Sequence, residues 1–295
     1  MKTNKQAKCM LGLSMIIFGT LGPFTRNIAV TSGELALYRA LLATVLIAVF
    51  FFATGQKIDF KAIKKEILLL LFSGMAIGIN WILLFEAYKY TTISTATLSY
   101  YFAPVLVTIV CPFLFRERLT KKQVLCFVMS TAGLALIIGF EGNTGGSNHL
   151  VGILLGLGAA FFYAGVILMN KYIKKVEGIQ RTLLQFIAAI VVLVPYVLCT
   201  GGMHPEVLDT RGWICLFVVG LVHTGITYCM YFTSLKELKG QQVAILSYLD
   251  PLVAVLVSVL ILHEKMNFMQ LLGGILILGF TFLNEYTENV DKQAE

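Results

Sequence analysis

The chain has 295 residues, of which 58% are hydrophobic and only 13% are charged, and its mean hydropathy is +0.82. A soluble domain needs about 25% charged residues to cover its surface, so this composition excludes a soluble globular protein. The formal net charge of +7 indicates membrane topology. We expect no binding of nucleic acid, because the basic residues stand in short clusters between apolar runs.

Ten apolar runs are each long enough to cross a bilayer, which takes about 20 mostly apolar residues. In chain order the predicted spans are 9–30, 33–54, 66–88, 93–115, 122–140, 149–170, 181–199, 211–234, 241–262 and 266–285. The joints between them are too short to hold a soluble domain. The sequence therefore predicts an all-α membrane protein with ten transmembrane helices.

The basic residues are distributed unequally between the two sides of these spans. With the N-terminus placed in the cytoplasm, 18 of the 23 lysines and arginines flank the spans on the cytoplasmic side, and four lie on the other side. This asymmetry is the positive-inside signal. It predicts that both termini are cytoplasmic, with residues 286–295 forming an acidic tail in solvent.

The segment 85–123 occurs twice, since a shift of 147 positions places it on 232–270 without a gap. The matched pairs include residue types that are rare in apolar sequence, namely Tyr101/Tyr248, Pro104/Pro251, Glu117/Glu264 and Gln123/Gln270. Each repeat holds five spans, an odd number, so the second must enter the membrane upside down. We therefore predict two inverted five-helix repeats, 1–140 and 149–285, with a substrate site between them near the bilayer midplane.

The chain resembles the drug/metabolite transporter superfamily, in particular its ten-span permeases with two EamA domains. The resemblance rests on the paired Pro, Glu and Gln motif, on glycines in the last span of each repeat, and on Arg39 in the second span. It implies a secondary carrier in the bacterial cytoplasmic membrane that moves amino acids, other metabolites, nucleotide sugars or toxic cations. Bacterial members are often exporters, and the resemblance leaves the substrate open.

Polar and aromatic residues in the third span and in its copy, the eighth, are the first site candidates. Asn80 and Trp81 align with Thr227 and Tyr228 at the repeat offset. Polar groups at membrane depth usually face the bundle interior or a cavity, so we expect these four residues to bind substrate. Hydrogen bonding between helices is the competing interpretation.

The eighth span also carries a stripe of small and polar residues. Gly220, His223, Thr227, Tyr231 and Ser234 recur at steps of three or four, which places them on one face of a regular α-helix. We expect Tyr231 to contact substrate. His223 is a candidate for holding or relaying a coupling proton, and the alternative is a hydrogen-bonded structural histidine.

A tyrosine stands three residues before each paired proline. Pro104 and Pro251 each remove a backbone donor, so we expect them to break or kink their helices. Freed backbone groups beside a cavity can bind substrate, whereas a kink that only shapes packing is the alternative. We expect Tyr101 and Tyr248 to meet near the centre and to bind substrate.

Two charged residues lie inside the predicted spans. Asp250 has Ala103 as its repeat mate, and a carboxylate at this depth costs about 2.5–3.5 kcal/mol on insertion scales and usually marks function. It could bind a substrate ammonium, carry a coupling proton, or form a structural pair with an arginine or a lysine, for example Arg39. Arg39 could instead bind a substrate carboxylate.

These features predict a secondary transporter that moves an amino acid or a related amphipathic solute by alternating access, with export favoured by the resemblance. Its expected partners are the small-molecule substrate and the lipid bilayer, and protons are a candidate coupling ion. A lipid or isoprenoid-carrier translocator of the same fold is the alternative, followed by a membrane enzyme or scaffold. The sequence holds no phosphate loop, nucleophile elbow or HExxH motif. We therefore expect no enzymatic activity, no cofactor and no bound metal.

Overall fold

A computed structural model of the chain describes residues 4–25, 27–55, 60–90, 96, 99–115, 120–138, 149–176, 178–261, 268–269, 271–276, 279–280 and 283. These residues form helices and turns, with no β-strand among them. The α-helices are α1 (Asn4–Gly19), α2 (Leu21–Thr25), α3 (Ser32–Thr54), α4 (Phe60–Tyr90), α5 (Ala103–Phe115), α6 (Lys121–Ile138), α7 (His149–Tyr172), α8 (Gly178–Cys199), α9 (Thr210–Val218), α10 (Thr227–Leu235), α11 (Gly240–Leu246) and α12 (Leu249–Ile261). A π-helical segment, Val219–Ile226, joins α9 to α10.

Six helical stretches are long and apolar enough to cross a membrane, and they correspond to the first, second, third, sixth, seventh and eighth predicted spans. They are Asn4–Thr25, Ser32–Thr54, Ile63–Ala87, Leu150–Tyr172, Gly178–Cys199 and Thr210–Leu235. Shorter apolar helices, Ala103–Phe115, Val124–Leu136 and Gln242–Ala254, lie in the fourth, fifth and ninth predicted spans. Nine of the 20 residues of the tenth predicted span, the residues Glu117 and Glu264, and the tail 286–295 lie outside the described residues.

Helix α3 shows how local polar residues delimit an apolar helix. The Thr31 hydroxyl accepts a hydrogen bond from the Glu34 N–H, and the Glu34 carboxylate accepts one from the Thr31 N–H, which forms a capping box. Gly55 ends the helix in the left-handed conformation, with φ of 61°. Glu34 and Arg39 are the charged residues within α3, and both are buried in the protein and not turned to lipid.

The helices of the first half pack mainly against helices of the second half. Helix α4 packs on α7 and α8, helix α3 packs on α8 and the π-helical segment, and α1 lies against α10 and α12. A large cluster of buried apolar residues extends through these contacts. The interface between the halves is therefore the core of the protein, and any opening within it is surrounded by both repeats.

Gly74 permits the close approach of α4 to α8. A Cβ atom built at this position would lie 2.3 Å from the carbonyl oxygen of Gln185 and 2.6 Å from the Cβ atom of Ala188. One of these obstacles is backbone, so a larger residue can be accommodated only if the two helices separate.

Gly74→Ala is expected to destabilise the protein by about 1–3 kcal/mol, because overpacking at a helix contact strains the backbone. Thermal unfolding of purified protein in detergent measures the change. Gly22→Ala is the matched control, since a Cβ atom there meets nothing within 4 Å. Equal unfolding temperatures for the two variants would contradict the prediction.

A turn interrupts the helical path just before each paired proline. Residues 101–102 form a turn between the helical residues 99–100 and α5, and residues 247–248 form a turn between α11 and α12. Pro104 and Pro251 then lie in the first turn of the helix that follows. A proline is tolerated there because the first helical N–H groups have no partner within the helix.

Candidate functional site

A cavity of about 180 Å³ opens at the interface between the two halves. Most of its wall is aromatic, formed by Phe18, Trp81, Phe85, Tyr100, Tyr101, Tyr163, Tyr228 and Tyr231. Leu21 and Leu84 add apolar surface, and Arg39 and Asp250 are its charged residues. The wall thus combines ring faces, phenolic hydroxyls and one group of each charge.

Tyr228 lies at the centre of the aromatic wall. Its ring centroid is 5.0 Å from that of Phe18, 5.4 Å from that of Phe186 and 6.0 Å from that of Trp81, all in edge-to-face geometry. Trp81 and Tyr228 are repeat mates, so it is this pair that meets between the halves. Aromatic side chains at such distances stabilise one another and present apolar, electron-rich faces to a ligand.

Three tyrosines from the two halves form another part of the wall. The hydroxyl oxygens of Tyr163 and Tyr231 are hydrogen-bonded at 2.9 Å. The ring of Tyr100 stacks on that of Tyr163, with centroids 5.4 Å apart and planes inclined by 27°. This contact links the chain just before α5 to helices α7 and α10 across the cavity.

Arg39 reaches the cavity from α3 and is held by two neighbours. Its Cζ atom lies 4.9 Å from the ring centroid of Trp81, and its Nε–H donates a 3.0 Å hydrogen bond to the Thr224 hydroxyl. The residue is only 4% exposed. Within the described part of the chain, no hydrogen bond or ion pair engages its two terminal amino groups.

Asp250 reaches the cavity from the first turn of α12, next to Pro251. Its carboxylate lies close to the Tyr101 hydroxyl. Gly19 lets α1 approach this point, since a Cβ atom there would lie 2.7 Å from the Asp250 carbonyl oxygen. No ion pair joins Asp250 to Arg39 among the residues that the structure describes, so the structural pairing considered for these two groups is not formed.

Two polar residues predicted to bind substrate are turned away from the cavity. The Asn80 amide donates a 2.7 Å hydrogen bond to the Ala159 carbonyl, and the Thr227 hydroxyl donates to the Val222 carbonyl at 2.8 Å. Neither belongs to the cavity wall, whereas the adjacent Trp81 does. In each half the aromatic member of the pair lines the cavity and the polar member satisfies a backbone carbonyl. The Asn80 bond joins two helices, as in the alternative interpretation, whereas the Thr227 bond stays within its own helical path.

Tyr248 and His223 also lie outside the cavity wall. The Tyr248 hydroxyl is hydrogen-bonded to that of Thr131 at 2.7 Å, and Tyr101 packs against the apolar cluster of Leu134, Tyr248 and Leu252, so the two tyrosines lie near each other while Tyr101 alone lines the cavity. His223 Nε2 lies 3.0 Å from the Thr20 hydroxyl oxygen, which ties the π-helical segment to the end of α1. Of the predicted stripe in the eighth span, Tyr231 is the member that lines the cavity.

All five residues of the predicted stripe are buried, as expected of an interior face, and the π-helical segment adds a further residue to that interior. The hydroxyls of Thr224 and Thr227 donate to the carbonyl groups of Val219 and Val222, each five residues earlier, at 2.8 Å. The wider turn brings inward a residue that the predicted steps of three or four do not reach. As a result Thr224, absent from the predicted stripe, is the residue that contacts Arg39.

Sequence reasoning also missed three aromatic residues of the wall: Phe18, Tyr100 and Tyr163. Tyr100 directly precedes a predicted site residue, and Tyr163 ends an aromatic run at 161–163 in the sixth span. Those two signals were present in the sequence. They carry little weight alone, because aromatic residues are common in apolar helices that pack against each other.

Apolar helices that surround a cavity with aromatic and charged walls define a multi-pass membrane protein of the transporter class. The sequence profile of the EamA-like transporter family matches residues 6–139 and again residues 150–285. The chain therefore belongs to the EamA-like transporter family, with one family unit in each half. Its apolar spans and its bacterial relatives fit a multi-pass protein of a bacterial cytoplasmic membrane.

Named relatives agree with this assignment. "Uncharacterized transporter YxxF" of Bacillus subtilis is 31% identical over 279 residues, which cover 94% of this chain and 89% of that protein. "Probable amino-acid metabolite efflux pump" of Salmonella typhimurium is 26% identical over 192 residues, 62% of this chain and 64% of that protein. A crystal structure with 19% identity matches the fold with a TM-score of 0.81 over 93% of this chain and 96% of its own.

Proposed function

We propose that the protein is a secondary transporter that exports a small zwitterionic metabolite, an α-amino acid or a close relative, through the cavity between its halves. The observation that carries the proposal is the presence of Arg39 and Asp250 on one cavity wall without an ion pair between them. A solute that bears a carboxylate and an ammonium would satisfy both groups at once.

The energetic argument starts from the environment of the two charges. A charged group inside the membrane is costly unless it is paired, hydrated or bound to a ligand. Arg39 is held by a hydrogen bond to the neutral Thr224 hydroxyl, and the neutral Tyr101 hydroxyl lies close to the Asp250 carboxylate. Neither charge is neutralised by the other, so each can be compensated by a charged solute or by water. In a structural salt bridge the two charges would compensate each other.

The aromatic wall supports a solute that also has an apolar part. Trp81, Tyr228 and Phe18 form an edge-to-face group beside Arg39, and apolar surface removed from water contributes about 25 cal/mol per Å². The name of the Salmonella typhimurium relative, an amino-acid metabolite efflux pump, points to the same class of solute.

In this proposal the chain crosses the membrane ten times, with both termini in the cytoplasm. The repeats 1–140 and 149–285 are inverted relative to each other and expose the cavity to the two sides of the membrane in turn. The two candidate proton carriers are Asp250 and His223. We favour Asp250 for proton coupling, because it belongs to the cavity wall and His223 does not.

Transport into inverted membrane vesicles tests the proposal. Vesicles with and without the protein are given radiolabelled amino acids and the amines that lack their carboxylate, each with and without an imposed pH gradient. We expect protein-dependent accumulation of at least one amino acid and weaker accumulation of its amine.

The other outcomes separate the alternatives. Accumulation of amines alone would show that Arg39 does not select a carboxylate. No accumulation of any amino acid or amine, combined with protein-dependent movement of a fluorescent lipid across proteoliposomes, would favour the lipid translocator. Accumulation only in right-side-out vesicles would reverse the proposed direction.

A further inference from the structure

We infer that Thr224 is a positioning residue: it fixes the guanidinium of Arg39 in the cavity and thereby sets the preference for a solute with a carboxylate. The carboxylate preference rests on the proposed function, whereas the fixed guanidinium does not. Thr224 does not touch the solute in this view. It acts through Arg39, to which its hydroxyl is joined at 3.0 Å.

The hydrogen bonds of Thr224 orient its hydroxyl so that it accepts a hydrogen bond from Arg39. The hydroxyl donates its proton to the Val219 carbonyl at 2.8 Å, so its lone pairs are available to the Nε–H of Arg39. Both residues are buried, with Thr224 at 0% exposure, and water does not compete for this bond. The hydroxyl thus has one donor role and one acceptor role, and both are filled.

The bond to Nε selects one orientation of the guanidinium. A guanidinium presents five N–H donors in a planar fork, and engaging Nε leaves the two amino groups for a partner. Trp81 restrains the same group from the ring side, with its centroid 4.9 Å from Cζ. Amino groups held in one plane match the two oxygens of a carboxylate, whereas an amine gains nothing from them.

The π-helical segment is what brings Thr224 to this point. Its wider turn and the small residues Gly220 and Gly225 let α3 approach closely, since Cβ atoms there would lie 2.5 Å from Leu42 Cδ1 and 2.7 Å from Leu46 Cδ2. A π-helical turn within an α-helix is less stable than a regular turn and is frequently found at functional sites. In this protein the π-helical segment places Thr224 where it fixes the guanidinium of Arg39.

The test compares Thr224→Val, which keeps the shape and removes the hydroxyl, with Thr224→Ser, which restores it. The full-length protein is reconstituted in liposomes, and its dissociation constants for L-leucine and for 3-methylbutylamine, the amine without the carboxylate, are measured. We expect Thr224→Val to raise the dissociation constant for L-leucine about 10-fold and to change that for the amine by less than about twofold. Thr224→Ser is expected to restore L-leucine binding.

Thr44→Val is the matched control, because the Thr44 hydroxyl on the same helix as Arg39 donates only to the Ala40 carbonyl. Equal weakening of both ligands by Thr224→Val, or no rescue by Thr224→Ser, would refute the role of Thr224.

A second measurement does not depend on the solute. Arginine-selective ¹⁵N labelling, with Arg39 assigned through Arg39→Lys, reports whether its Nε–H is protected from exchange with water. We expect protection in the wild type and in Thr224→Ser, and its loss in Thr224→Val. If the wild type binds neither ligand but protection is lost in Thr224→Val, the proposed function fails for this solute while the positioning of Arg39 by Thr224 is supported. Unchanged protection in Thr224→Val overturns the positioning role whatever the transport result.

Discussion

Replacing Asp250 with asparagine is expected to reduce the transport of an ammonium-bearing solute by about 10- to 100-fold. A hydrogen bond to a charged group contributes about 1.5–3 kcal/mol, and each 1.4 kcal/mol is a factor of ten in affinity. Asparagine keeps the shape of the side chain and removes the charge. The effect should therefore appear in the KM and in the dissociation constant of the solute, measured in proteoliposomes.

A carboxylate outside the cavity provides the control for this prediction. Glu237 lies exposed between α10 and α11, and Glu237→Gln makes the same chemical change away from the solute. We expect transport by Glu237→Gln to match the wild type. Unchanged transport and unchanged pH dependence in Asp250→Asn would remove Asp250 from the site, and an equal loss in both variants would point to expression or insertion.

Replacing Arg181 with methionine is expected to produce the largest loss of stability, about 3–4 kcal/mol. The side chain is fully buried, and its guanidinium donates to four backbone carbonyl groups. These carbonyls belong to Asn170, Ile173, Val176 and Phe232, at 2.5–3.4 Å. Three of them lie at or just beyond the end of α7, where a helix leaves its last carbonyl groups without partners. Removing the guanidinium leaves buried acceptors unsatisfied.

The measurement is the fraction of protein that stays monodisperse after heating in detergent. Lys174→Met removes a positive charge from the nearby connection between α7 and α8, but the Lys174 side chain is exposed, so this variant controls for net charge and membrane insertion. Arg181→Lys should be intermediate, because an ammonium keeps the charge and loses the planar fork. Equal thermal stability of Arg181→Met and Lys174→Met would contradict the prediction.

Arg181 also shows where sequence reasoning reached its limit. It was counted with the basic residues that mark the cytoplasmic side, and in a sequence it is indistinguishable from its exposed neighbours Lys174 and Lys175. Only the folded chain shows that it enters the interior. The oppositely charged residue near it, Glu66, accepts hydrogen bonds from the backbone N–H groups of the turn at 174–176.

The residues of the candidate site were only partly predictable from the sequence. Trp81, Tyr101, Tyr228, Tyr231, Arg39 and Asp250 were recognised from the sequence as candidates, and all six belong to one cavity wall. They stood out because charge and large polar rings are costly in lipid and need an interior position. Whether they bind substrate stays a prediction. Asn80, Thr227, Tyr248 and His223 satisfied the same rule by hydrogen bonds within the protein, which composition alone cannot distinguish.

The amino-acid sequence by itself determined that this is a helical membrane protein with a duplicated, EamA-like organisation. Hydrophobic length and repeated Pro, Glu and Gln residues are properties of the chain that do not depend on how its helices are rotated. The tertiary structure decided which side chains share a cavity. That choice depends on helix rotation, which changes at the turns 101–102 and 247–248 and in the π-helical segment, where no α-helical period can be extrapolated.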